Sequence, residues 1–492
     1  MKRALNFRLM TFMAVALCAG VAIGGLIYGS ILLSVLIPIV SFAVGILLSF
    51  LLKKRRTIVL LLFFTFSLGV SVFVTSIVIS RPKLSGEQTL SLRVEQVNER
   101  NDNVVLSGKG IGRISLSCKN DLKEGDLVSF RGTLTPVGFS YADSRERYLF
   151  TKGISYTAKA ETISVTGSDP SFFQKIRIKS RAVMLRYMDK EDAAICMSLV
   201  FGDKSMLSSE TAEETAGAGL AHVFAVSGLH IGFLAAIVSY LLKKCRVLPV
   251  PRLIVTITIL LLYGVLTGFP AGIKRAVIMF FIYEFSTIVA RKNDSLVTLS
   301  AAVFLIVLTD PKELFDIGFL MSAGSVAGIV LFYRPLYSVV AKMPYGAAKR
   351  LLMYPYGLLC VTVSANVFTL PLSFSSFGVF TPYAAVGNLL VLPVLSVVFP
   401  LIFVAVALSF LYGGFGILFY AIKYPIIAVR LFSSVISSWP GARMEVSGLG
   451  VAAVFYVLFF VVAGRYLLID KKYKIPLCGA LALSTVLTVL FL

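Results

Sequence analysis

His222 and His230 are the only histidines in the chain, and they share an apolar run with Ser227 and Gly228. An imidazole inside hydrocarbon costs free energy, which a ligand, a hydrogen bond or a packing contact should offset. Along an unbroken helix the two rings would stand about 12 Å apart, too far to share a metal ion unless Ser227-Gly228 breaks the helix. Two readings stay open: imidazoles bonded to backbone carbonyls, or a polar constriction in a channel. Ser227 lacks a Gly-x-Ser-x-Gly surround, so nothing marks it as a nucleophile. Gly202-Asp203-Lys204-Ser205 ends like a phosphate loop but has neither the adjacent Gly-Lys pair nor the earlier glycine. No nucleotide site is assigned, and any driving force for transport must come from a partner or a gradient.

Lys274 and Arg275 follow Gly268-Phe269-Pro270-Ala271-Gly272, where a helix should begin. Two cations beside free helix N–H groups make an anion site suited to a phosphate backbone. The competing reading is a pair of side chains reaching back to the lipid headgroups. Glu284 lies deeper on the same segment and would need a partner. Asp310, Glu313 and Asp316 cluster at a turn and are expected to be solvated. Asn366 and Asn388 suit hydrogen bonds between buried helices. Lys423 and Arg430 share one helical face, either lining a pore or marking an interface. Six scattered cysteines have no metal or disulfide spacing, and no metal or cofactor is expected.

These residues sit in a chain that is 57% hydrophobic and 15% charged, with many apolar runs near membrane-crossing length. That is a polytopic α-helical membrane protein. The net charge of +22 is weak testimony for nucleic acid, because Lys and Arg collect in the cytoplasmic loops of any such protein. Met1-Lys2-Arg3 before the first apolar run reads as an uncleaved first helix. Spans are expected near 10–28, 31–52, 58–79, 219–242, 253–267, 274–290, 296–309, 314–333, 352–370, 382–411, 417–437, 449–468 and 475–490, roughly 13 in all. Basic loops at 243–252, 291–292, 334–350 and 471–474 then fall on one side. That side is the cytoplasm, with the N-terminus inside and the C-terminus outside.

Four regions follow: 1–80 with the first spans, a soluble insert at 81–166, a connector at 167–218, and a multi-span domain at 219–492. In the insert Leu90, Leu92 and Val94 alternate with polar residues, as do Ile114, Leu116 and Cys118, with turns at Asn101-Asp102-Asn103 and Glu124-Gly125-Asp126. Short strands of this kind fit a small extracellular β-barrel resembling an OB-fold. Phe130, Arg131, Tyr148, Lys152 and Tyr156 are its candidates for contact with a single strand, although such aromatics equally suit a barrel core. In the connector, Phe172, Ile176, Val183 and Tyr187 form one helical stripe among Lys175, Arg177, Lys179, Arg181 and Arg186. Such a helix is expected to lie on the outer leaflet.

The run Leu220-Ala221-His222-Val223-Phe224-Ala225-Val226-Ser227-Gly228-Leu229-His230, preceded by Leu199-Val200-Phe201-Gly202-Asp203-Lys204, resembles the signature of the ComEC family, the inner-membrane channels of bacterial DNA uptake. Gly138-Phe139 and the stretch from Arg147 to Ile154 look like that family's soluble-domain segment. Arg275-Ala276, Asn366, and Asn388 with Pro393 resemble its later motifs. The family's Gly-Phe-Gln-Leu-Ser is Gly318-Phe319-Leu320-Met321-Ser322 here, without the glutamine.

The resemblance implies a channel for inward passage of single-stranded DNA across the cytoplasmic membrane during natural transformation. Asp203, Lys204, His222, Ser227, His230, Lys274, Arg275, Glu284, Asn366 and Asn388 are then candidates for the DNA path. The implied partners are single-stranded DNA, membrane lipids, an outer-face DNA receptor, a separate nuclease and a cytoplasmic DNA motor; a homo-oligomer stays open. Many members end in a metallo-β-lactamase-like domain, whose metal site needs several His and Asp residues. With two histidines in all, this chain is expected to lack that domain and to be no enzyme. Two other classes compete. One is a secondary transporter of a small anion using Lys274, Arg275 and Glu284. The other is a membrane hydrolase using Ser227 and His230, for which no carboxylate lies near His230 in sequence.

Overall fold

Inside hydrocarbon a backbone must satisfy its own N–H and C=O groups, so the apolar runs become helices. The computed structural model describes residues 9–491 apart from 28–29, 53–55, 80–85, 99–102, 109–111, 118–121, 142, 225, 292, 343–345, 446–451 and 464–470. Lys53, Lys54, Arg55, the Asn101-Asp102 turn, Cys118, Lys292 and Leu492 therefore lie outside the described residues.

Helices α1 (Leu9–Ile27), α2 (Ile31–Leu51) and α3 (Arg56–Ile79) open the chain. The soluble insert holds β1 (Gly86–Asn98), β2 (Asn103–Gly108), β3 (Gly112–Ser117), β4 (Asp126–Pro136), α4 (Ser144–Thr151) and β5 (Ile154–Ser168). Then come α5 (Phe172–Tyr187), α6 (Lys190–Phe201), α7 (Ser209–Gly217), α8 (Gly228–Lys244), α9 (Pro249–Thr267), α10 (Ala271–Ile288) and α11 (Ser295–Thr309). The chain continues through α12 (Ile317–Ala341), α13 (Ala347–Phe377), α14 (Ala384–Leu411), α15 (Leu418–Ser437), α16 (Ala452–Ala463) and α17 (Lys471–Phe491).

Among the described residues, eight helices are long and apolar enough to cross a membrane by length and composition: α1, α2, α3, α9, α12, α13, α14 and α15. The protein is thus a multi-pass membrane protein. The remaining expected spans fall on α8, α10, α11, α16 and α17. The connection from α14 to α15 packs on α5: a Cβ added at Gly416 would meet Val183 at 3.0 Å, and Lys179 lies 4.4 Å from the ring centre of Phe410.

The insert is a closed barrel with strand order β1-β2-β3-β5-β4, sealed by β4 against β1. Only β3 and β5 pair in parallel. Alternate side chains fill the interior, since successive residues of a strand point to opposite faces. Leu92, Val94, Leu106, Ile114, Leu116 and Val128 meet there. Phe130 and Tyr156 join them, 1% and 3% exposed, so these two candidates for stacking on a base offer it no ring. Arg131 stays outside in an ion pair with Glu87, and Tyr148 is 58% exposed.

The barrel sits on the helices through an aromatic cluster. Phe139 packs against Phe73, Phe150 and Phe315, with ring centres 4.7–5.3 Å apart. Tyr141 donates its hydroxyl hydrogen to the Ala22 carbonyl at 2.8 Å, and Lys152 pairs with Asp316 at 2.7 Å. Gln174 of α5 donates to the carbonyls of Val94 and Glu95, binding the connector to β1. The apolar stripe of α5 mostly turns to protein rather than lipid: Ile176, Val183 and Tyr187 pack on the main helical core. Phe172 alone stands out, 70% exposed.

Interior and exterior aromatics of the barrel should therefore behave differently. Phe130→Ala leaves a cavity and should cost about 3–5 kcal/mol, read as lost protease resistance of the barrel in the full-length protein. Tyr148→Ala should change stability by no more than about 0.5 kcal/mol. Equal sensitivity of the two variants would contradict the burial of Phe130 and the exposure of Tyr148.

Candidate functional site

The run that holds both histidines is split. Residues 219–224, 226 and 227 do not join the expected span; they lie outside any helix, and α8 starts only at Gly228. Gly219 has a positive φ of 75° and lies against Ala384 of α14, which a side chain would strike. His222 stands in this stretch, with Nδ1 3.1 Å from the Gly219 carbonyl. Ser227 caps α8 in a capping box with His230. The Ser227 N–H donates to His230 Nδ1 at 2.9 Å, and the Ser227 hydroxyl accepts the Leu229 N–H at 3.3 Å. A ring nitrogen that accepts carries no proton, so this imidazole is the neutral tautomer with its hydrogen on Nε2. His230 is buried against Phe399, ring centres 4.6 Å apart.

This geometry answers the hydrolase reading. The Ser227 hydroxyl lies 3.2 Å from His230 Nδ1, but that nitrogen's single lone pair already takes the Ser227 N–H. No carboxylate orients the ring among its hydrogen-bond partners. In this arrangement the pair serves as a helix cap, with the Ser227 N–H rather than its hydroxyl as the nearer donor to the ring.

The first turn of α8 faces the start of α10. Gly228 lies against Arg275, Ala276 and the Gly272 carbonyl, and Gly272 lies against Ser322 and the Gly228 nitrogen. Arg275 is 5% exposed and donates through Nη1 to the Ser322 hydroxyl of α12. Its Nε has no partner, and no carboxylate pairs with it among the described residues. Lys274, the neighbouring cation, forms an ion pair with Glu313.

The other charges find acids too. Glu284 pairs loosely with Arg252 at 3.9 Å. Lys423 reaches Asp189, the residue before α6, at 3.1 Å, and Arg430 reaches the fully buried Asp192 of α6 at 3.3 Å. Glu313 and Asp316, expected to be solvated, are 9% and 7% exposed because Lys274 and Lys152 cover them. Arg181 of α5 holds Asp203 at 2.8 Å, while the Ser205 N–H donates to the same carboxylate at 3.0 Å. Burial alone would raise the Asp203 carboxyl, but Ser205 and Arg181 outweigh it and hold the group below its ordinary range. Lys204 beside it is pushed below the usual lysine range by burial.

Deeper in the helices, Asn388 is 7% exposed, donates to Thr362 at 3.4 Å and leaves Oδ1 unpartnered. Asn366 accepts from Thr369 at 3.3 Å. The candidates thus separate into groups: Ser227, His230 and Arg275 come together, Asp203 and Lys204 sit under α5, and Glu284, Asn366 and Asn388 lie elsewhere. Gly272 and Ser322 stood in the sequence only as members of quoted motifs, with no role given to them, and Asp192 was not singled out at all. No group of His, Cys, Asp or Glu among the described residues is arranged to hold a metal ion.

Residues 199–471 match the Competence protein family, more than half of the 492 residues. ComE operon protein 3 of Bacillus subtilis (strain 168) is 23% identical over 302 residues, covering 60% of this chain and 37% of that protein. Recombination protein 2 of Haemophilus influenzae is 23% identical over 218 residues, covering 42% of this chain and 27% of that protein. The matched stretch thus spans well under half the length of either relative. No solved structure matches the chain. The family match takes in Ser227, His230, Arg275, Ser322 and Asn388, while the barrel precedes it. This chain belongs to the competence protein family.

Proposed function

We infer that this protein passes single-stranded DNA inward across the cytoplasmic membrane during natural transformation and does no chemistry on it. Membership of the competence family supports a role in DNA uptake. The observation that carries the channel reading is Arg275: a buried guanidinium with no carboxylate beside it among the described residues, where α8 and α10 begin. A phosphate backbone is the ligand such a cation lacks. The barrel, read as OB-fold-like, receives the strand on the outer face, with Arg131, Tyr148 and Lys152 as its remaining exposed candidates. An outer-face receptor, a nuclease and a cytoplasmic motor act as separate partners, and no cofactor takes part. A secondary transporter of a small oxyanion is the second reading, favoured by the same unpaired arginine.

The barrel should face outward and the basic loops inward. In a cysteine-free background, Lys123→Cys should label from outside and Lys292→Cys should not; the reverse pattern overturns the orientation.

A strain lacking the protein should still bind labelled external DNA but fail to move it into the cytosol. Arg275→Glu, at normal membrane abundance, should reproduce that block for DNA of any sequence. Like charge facing the backbone is worth several kcal/mol at an effective dielectric of about 20. Arg275→Lys keeps the charge, loses the planar fork, and should be milder. Unimpaired uptake in Arg275→Glu removes this residue from the path. Loss of one small anion's transport with DNA uptake untouched favours the second reading.

A further inference from the structure

We propose that Gly228, Gly272, Arg275 and Ser322 form a subsite for one phosphodiester oxyanion of a nucleic-acid strand, held open by the two glycines. The proposal rests on the uptake reading and goes one step inside it, to the ligand chemistry of a single niche.

Arg275 differs from every other cation of the membrane region discussed above. Lys274, Arg252, Lys423 and Arg430 each have an acid, whereas Arg275 has only the Ser322 hydroxyl. Leaving a guanidinium dry and unpaired costs several kcal/mol, so the fold retains an unmet demand for an anion. The remaining donors point the same way. Nη2 lies beside Gly228 and makes no hydrogen bond among the described residues. The Ser322 hydroxyl accepts from Nη1, which leaves its own hydrogen free to donate. Gly228 is the first residue of the 17-residue α8, and Gly272 the second of the 18-residue α10. The Gly228 N–H of α8 and the Ala271 and Gly272 N–H groups of α10 have no hydrogen-bond partner among the described residues, whereas Ser227 takes those of Leu229 and His230, so the positive ends of both helix dipoles border the niche.

The glycines explain why the niche stays open. A Cβ on Gly228 would stand 3.2 Å from Arg275 Nη2, where a ligand oxygen would bond. A Cβ on Gly272 would stand 3.5 Å from Ser322 Oγ and 3.7 Å from the Gly228 nitrogen. Neither glycine has a positive φ, so backbone conformation does not demand it.

The niche offers hydrogen-bond donors and no carboxylate. A phosphodiester, which only accepts, satisfies them in full. A base edge brings donors of its own and gains less. Such a subsite reads backbone charge and ignores sequence.

The test uses the purified full-length chain in nanodiscs of zwitterionic lipid and a short oligothymidylate, with inorganic phosphate as competitor. Gly228→Ala should weaken oligonucleotide binding at least about tenfold, the size of one lost charge-assisted hydrogen bond. Ser322→Ala should weaken it in the same direction. Gly232→Ala, on the same helix where an added Cβ meets nothing within 4 Å, should bind as the wild type does. Binding unchanged in Gly228→Ala, or equal loss in Gly232→Ala, overturns the niche. Displacement of the oligonucleotide by phosphate supports it. Tight binding of phosphatidylglycerol without any binding of the oligonucleotide assigns the niche to lipid and overturns the proposal. The uptake reading fails separately: a deletion strain that imports DNA normally sinks it, whatever the nanodiscs show.

Discussion

A guanidinium held away from water needs a negative charge, and Arg275 has none beside it among the described residues. Taking an ion out of water costs several kcal/mol even after relaxation, and one hydroxyl returns only part of that. The rest of the site is arranged around this imbalance. Two helices begin beside it, each with N–H groups that no preceding turn can satisfy. Ser227 and His230 satisfy part of the first turn of α8 between them, and so hold its start against α10. The neighbouring Lys274 does not relieve the imbalance, because Glu313 cancels its charge.

The same corner connects the barrel to the site. Asp316 accepts the Phe319 N–H at 3.0 Å, capping α12, and also pairs with Lys152 of the barrel. Six residues further along α12 stands Ser322, the partner of Arg275. The short turn Pro311–Phe315 supplies Phe315 to the aromatic seat of the barrel and Glu313 to Lys274. These contacts place the seat of the barrel and Arg275 at opposite ends of one short stretch of chain, residues 311–322. Burial of Lys152 alone would lower its pKa, but Asp316 more than reverses that and raises it. This contact therefore stabilises the seat below the ordinary lysine pKa of 10.5 and is lost only as pH rises through the raised value.

Much of this was legible in the sequence, for identifiable reasons. Long apolar runs leave a backbone no choice but helix, so every expected span contains one. The strict alternation of Leu90, Leu92 and Val94 announced a barrel wall, and the same period carried Val128 and Phe130 to the inside. The break at Ser227-Gly228 was foreseeable from residue type; its capping by a histidine was not, since Glu or Gln usually fills that role. The ion pairs were beyond reach. Arg430 and Asp192 meet only because α6 packs across α15, and no local pattern relates them. Asp310, Glu313 and Asp316 read as a solvated turn because the cations that cover two of them come from elsewhere in the chain, Lys152 of the barrel on Asp316 and Lys274 of α10 on Glu313. Nothing in the sequence between the expected spans 382–411 and 417–437 relates that connection to α5, and only tertiary packing brings them together.

The central claim is that Arg275 and Ser322 border the path of a strand in transit. Its most direct measurement is the reactivity of Ser322→Cys, in a cysteine-free background, toward a small cationic thiol reagent added from outside. Cells would be compared empty and with a DNA strand arrested by a bulky group at its trailing end. Rapid labelling when empty and protection when the strand is held is the predicted result. Labelling that is the same in both states, with strand arrest verified, would contradict it.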